Sequence, residues 1–177
     1  MKSEVATTAR ALAAQAHEGQ RDKASRDYFD AHLVPIASAA AVFGDDAQAA
    51  AWLHDALEDT DLSAQDLTDA GMPTEVVRAI ESVTRRDDET YSDLIARACI
   101  DPIGRLVKLV DNAWNITSNP ILAATDPKRA ASLLSRRYEP ARRRLLTACG
   151  LDLSSAVVRD MQAILDHHNE RLRRVAH

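Results

Sequence analysis

Apolar residues in this chain recur at helical rather than strand spacing, and that periodicity limits the fold before anything else does. Ile103, Leu106, Val107, Val110 and Trp114 fall three or four positions apart, on one stripe of a helix. No stretch alternates apolar and polar residues long enough to make a useful strand. Five glycines and six prolines in 177 residues suit helices joined by short connections. The pattern therefore predicts an all-α fold, a compact helical bundle, as a single domain over residues 1–177.

Start and stop signals divide the chain further. Helices are predicted over 4–17, 32–43 and from 45 or 46 to 58, the last capped by Asp45 or Asp46. Ser63 caps a short helix to 69, and Thr74 caps one to 83. Further helices are expected over 91–99, 103–115, 127–148 and 154–175. Residues 18–31 are polar, and Gly19 and Ser25 mark a loop there.

The net charge of −5 gives no general attraction to nucleic acid or an anionic membrane. Arginine is concentrated locally, at Arg136, Arg137, Arg142, Arg143 and Arg144, and again near the C-terminus. Those helices and the alanine-rich N-terminal one could bury a homodimer contact; a solvated face accounts for them equally well. Cys99 and Cys149 lack metal-type spacing and read as reduced thiols of a cytoplasmic protein. Residues 1–10 hold no apolar run of signal-peptide type, and no stretch reaches membrane-spanning length.

The chemistry is concentrated in W-L-H-D-A-L-E-D-T, from Trp52 to Thr60. On a helix His54 and Glu58 are one turn apart, as are Asp55 and Asp59, beside the apolar Ala51, Leu53 and Ala56. Carboxylates in such a place cost several kcal/mol, in order of magnitude, unless paired or bound to a cation. A metal ion is the simplest compensation. A second anchor is K-L-V-D-N-A-W-N, which sets Asp111 and Asn115 one turn apart at the edge of the apolar stripe. With a helix ending near 115, an acid there sits unfavourably in the helix dipole. A third is His32, at a predicted helix start, where an exposed cap or a satisfied core histidine is the competing reading.

Taken in order, His, then His-Asp, then a distant Asp resembles the metal-ligand order of the HD superfamily of phosphohydrolases. More narrowly, the chain resembles the hydrolase domain of the alarmone synthetase/hydrolase family and its free-standing small hydrolases. The matching segments are A-A-Q-A-H-E-G-Q at 13–20, Y-F-D-A-H at 28–32, H-D-A-L-E-D-T at 54–60, V-T at 83–84 and K-L-V-D-N-A-W-N at 108–115. They lie within about residues 9–145. The resemblance implies a helical HD domain with His32, His54, Asp55 and Asp111 as metal ligands. It implies Glu58 and Asp59 as the pair that positions and activates water, and substrate contacts from Arg21, Lys23, Asn115 and Tyr138. The implied ion is Mn²⁺, and two imidazoles with two carboxylates also suit Fe²⁺ or Zn²⁺. The implied reaction removes the 3′-pyrophosphate of (p)ppGpp, a nucleotide of the stringent response, giving GDP or GTP.

The sequence departs from the family at the base pocket. The loop usually reads G-Q-x-R-K; here it is G-Q-R-D-K, with Asp22 in place of the arginine. The family's H-P is His32-Leu33, and D-R-L-H-N is D-N-A-W-N, which introduces Trp114. For Arg21 and Lys23, a solvated loop and nucleotide binding remain alternatives. Other substrates stay open: an adenosine alarmone, NADPH or a nucleotide monophosphate. So does a non-catalytic nucleotide-binding module. With the chain ending at His177, no synthetase domain is expected to follow.

Overall fold

A computed structural model describes residues 4–22 and 24–175. Its helices are α1 (Glu4–Ala16), α2 (Val34–Ala40), α3 (Asp45–Trp52), α4 (Ala56–Asp59), α5 (Ala64–Asp69) and α6 (Thr74–Val83). Then follow α7 (Tyr91–Ile100), α8 (Gly104–Ala123), α9 (Pro127–Leu133), α10 (Glu139–Cys149) and α11 (Ala156–Val175). Among the described residues there is no strand, only one isolated bridge between Arg21 and Asp27.

Helix α8 forms the axis, packed against α2, α3, α6, α7, α9, α10 and α11. Its buried face includes Val107, Val110 and Trp114, as the periodicity predicts. Small residues let the N-terminal helices close tightly: Ala9 and Ala13 on α1, and Ala49, Ala50 and Ala51 on α3, are fully buried. Gly104 does the same where α8 meets α6. A Cβ there would collide with Ser82 Oγ.

Five expectations are corrected. The helix predicted over 45–58 is broken at Leu53–Asp55, because the carbonyl of Ala51 takes the His54 imidazole at 2.8 Å instead of an onward backbone N–H. Gly44, with φ +109°, precedes α3, so Asp45 and Asp46 lie in its first turn and do not cap it. Pro73 likewise takes the cap position before α6, with Thr74 just inside. Helix α8 runs on past Asn115 and through Pro120, so Asp111 is mid-helix and the dipole argument lapses. The long helix over 127–148 divides at a π-turn, Leu134–Tyr138. A second π-turn, Phe29–Leu33, carries His32. Each π-turn is followed within two residues by a proline, Pro140 or Pro35, whose missing N–H removes one i→i−4 bond.

The polar loop folds as a small hairpin. Tyr28 N–H donates to Gln20 O, and Asp22 N–H to Arg26 O, each at 2.9 Å, around Ser25 at φ +60°.

Candidate metal centre and its cleft

His54 comes from the break after α3, Asp55 takes the position just before α4, His32 rides the first π-turn, and Asp111 projects from mid-α8. His32, His54 and Asp55 meet closely enough for one ion to touch all three. Asp55 Oδ2 lies 2.9 Å from His54 Nε2 and 3.2 Å from His32 Nε2. Asp111 stands at the edge, its Oδ1 3.9 Å from His32 Nε2. Its two oxygens are engaged, by Lys108 Nζ and Asn115 Nδ2, each at 2.8 Å.

The donor set fits a cation. His54 is buried, and its Nδ1–H is directed to Ala51 O, which leaves the Nε2 lone pair facing the site. That nitrogen has no hydrogen bond among the described residues. Two acceptors 2.9 Å apart repel unless a proton or a metal ion lies between them.

The charges respond to this crowding. Burial opposes the His54 imidazolium, yet Asp55 beside it, with Asp111, carries its pKa up to about 9. Burial also opposes the Asp55 carboxylate, but His54 and His32 hold it well below its usual range. Asp111 is lowered against its burial, chiefly by Lys108, whose own ammonium is held by Asp111. Tyr28 donates its hydroxyl to Asp55 Oδ2 at 2.5 Å, and burial followed by that carboxylate pushes the phenol far up, so it stays a donor.

The site opens into a cleft of about 690 Å³. Of the residues predicted to act there, His32, Glu58, Asp59, Arg21, Asn115 and Tyr138 line it. Lys23 lies outside the described residues. Glu58 and Asp59 are exposed on the wall. The Asp59 carboxyl is raised by burial and then by its neighbours Asp55 and Glu58.

Three contributors went unread as such in the sequence. Arg26 lines the cleft with its Nε 2.8 Å and Nη2 2.6 Å from Asp22 Oδ2. Asp22, the residue that looked like a loss of charge, therefore holds a guanidinium at the cleft from four positions on. Lys108 is the partner of Asp111, a signal available from its i,i+3 spacing. Tyr28 touches a candidate ligand 27 residues away, which no local pattern reports.

With the helices and this cluster in place, the fold is all-α and matches that of solved structures. One solved structure that it matches is described as "a metazoan ortholog of SpoT" that "hydrolyzes ppGpp and plays a role in starvation responses". The match covers 97% of each chain at 20% sequence identity, with a TM-score of 0.67. At that identity the likeness is one of fold. No family model and no curated protein matches the sequence.

Proposed function

We propose that this chain is a divalent-metal-dependent phosphohydrolase that removes the 3′-pyrophosphate of (p)ppGpp, giving GDP or GTP and pyrophosphate. The observation that carries the reading is a His32–His54–Asp55 group with an unpartnered, buried imidazole nitrogen, opening on a nucleotide-sized cleft. Residues 1–177 would act as a single domain on a small molecule in the cytoplasm.

His32, His54 and Asp55 would hold the ion, with Asp111 as the fourth ligand. The family resemblance favours Mn²⁺, and this borderline-hard set suits Fe²⁺ as well, with Zn²⁺ possible. The ion would supply positive charge at the phosphate and acidify a water. Glu58 and Asp59 are the candidates to take the proton, Asp59 with its carboxyl raised by burial and by the neighbouring Asp55 and Glu58. Glu58 holds the segment after α6 through Arg85 N–H, leaving its other oxygen for the water. Asn115 steadies Asp111 and, with Tyr138, borders the space for sugar and phosphates. Arg21 and Lys23 complete the set of substrate contacts.

A second reading changes only the nucleotide. It is favoured by Asp22, whose carboxylate is taken up by Arg26 and by the loop N–H groups of Ala24 and Arg26, so the loop differs from a guanine-flanking one.

The test is a substrate panel with Mn²⁺: ppGpp, its adenosine counterpart, NADPH and a nucleotide monophosphate, products separated by ion exchange. Pyrophosphate and GDP from ppGpp are expected. Turnover of another member alone transfers the assignment to it, and no turnover of any overturns the hydrolase reading.

A further inference from the structure

The deepest part of the site contains a column of four rings. His17 stacks on Tyr28 with centroids 5.3 Å apart, Tyr28 lies 4.9 Å from His32, and His32 lies 5.4 Å from His54. Successive planes are inclined by only 29°, 30° and 34°. Two of the rings belong to the candidate metal group, and the other two are so far without a role.

We propose that Tyr28 is a positioning residue of the metal site: its hydroxyl selects and fixes the Asp55 oxygen that faces the two imidazoles, and His17 holds the Tyr28 ring in place to do so. The inference rests on the reading that His32, His54 and Asp55 hold a divalent ion.

A carboxylate on a short side chain turns about its last bond and can present either oxygen. Here Tyr28 Oη reaches Asp55 Oδ2 at 2.5 Å, and that is the oxygen 2.9 Å from His54 Nε2 and 3.2 Å from His32 Nε2. The choice of oxygen is thus made before any ion arrives, and less rotational freedom is lost on binding.

The ring is itself tied down. His17, 2% exposed, stacks on Tyr28, and His32 packs against the same ring. Gln20 secures both members of the first pair. Its side-chain Oε1 meets His17 Nδ1 at 2.6 Å, and its backbone carbonyl accepts Tyr28 N–H at 2.9 Å. Packing alone requires an aromatic ring at 28 but no hydroxyl; ordering the ligand requires the hydroxyl.

Tyr28→Phe separates these roles, since it keeps the ring and deletes the donor. Co²⁺ added to chelator-stripped protein is followed by calorimetry and by its visible absorption, which reports ligand geometry. The variant is expected to bind Co²⁺ about 10- to 100-fold more weakly, with shifted bands, while the metal-free protein keeps its melting temperature. Wild-type affinity and spectrum in Tyr28→Phe would overturn the positioning role alone. Failure of the wild-type protein to bind Co²⁺ would overturn the metal reading beneath it. Should Tyr28→Phe not fold, His17→Phe carries the same test. It keeps the stack but loses the Gln20 anchor, and an unchanged Co²⁺ affinity there overturns the proposal.

Discussion

Glu58 Oε2 accepts the backbone N–H of Arg85 at 3.0 Å, pinning the end of α4 to the turn that follows α6. The main-chain partner makes two substitutions informative. Glu58→Gln keeps an acceptor for Arg85 and removes the charge, so the segment stays in place. If Glu58 handles water, kcat on the best substrate should fall about 10²- to 10⁴-fold with metal content unchanged. Glu58→Ala should add a loss of about 1 kcal/mol in stability from the broken bond. Near-wild-type turnover in folded, metallated Glu58→Gln would leave Asp59 as the proton acceptor.

Replacing His54 should strip the centre. His54→Ala is expected to carry less than a tenth of the wild-type metal by elemental analysis, whereas Glu58→Gln retains it. Equal metal in the two variants would move the ion elsewhere in the cleft.

Arg26 and Asp22 should behave as one unit. Arg26→Ala is expected to raise KM several-fold with kcat and metal content little changed. Asp22→Ala should shift KM in the same direction by loosening the guanidinium. The double variant should be no worse than Arg26→Ala, the non-additivity expected of residues in contact. Additive effects would separate the two roles.

A pH-dependent contribution is expected far from the cleft. Arg97 binds Glu89 through Nε and Nη2, and this pairing, helped by Arg86 N–H, lowers the Glu89 carboxyl below its ordinary value. A depressed carboxyl stabilises the fold above its unfolded pKa near 4.5, and that contribution fades as pH falls through the folded value. Thermal unfolding of Glu89→Gln beside wild type should show a deficit at pH 6 that closes toward pH 3. A constant deficit would assign the pair a purely steric role.

Gly104→Ala tests the contact between α6 and α8. The new methyl meets Ser82 Oγ, with Asp101 Cβ at 3.2 Å and Ala79 O at 3.3 Å behind it. Overpacking of this kind costs about 1–3 kcal/mol. Gly104→Ala combined with Ser82→Ala should recover part of it in denaturant unfolding, and no recovery would place the strain in the backbone.

The all-α class was legible because period-3.6 stripes such as Ile103 to Trp114 report burial directly. So was the meeting of His32, His54 and Asp55, through the order of their motifs. The helix break at 53–55 was not, because its cause is a side chain bonding a carbonyl, and Ala-Trp-Leu-His has good helical propensity. The π-turns were hidden for a related reason: proline at 35 or 140 signals a boundary but not how the previous turn widens. Arg26 was missed because charge at Asp22 was counted by position, whereas the hairpin brings a cation from four positions on to the same wall.

Lys108 has a consequence that reaches the order of events in the cleft. Two carboxylates, Asp55 and Asp111, share their surroundings with one buried ammonium. When a dication joins them and the ligating imidazoles are neutral, the cluster carries a surplus of one positive charge. Without Lys108 it would balance to zero. If the cluster holds an ion as proposed, the lysine would weaken the hold on it and strengthen the hold on an anion, two affinities set against each other by a single residue. Lys108→Met should move them in opposite directions, tighter for metal and looser for pyrophosphate. On the proposed reading, the cleft would draw a phosphate more strongly once its ion is in place.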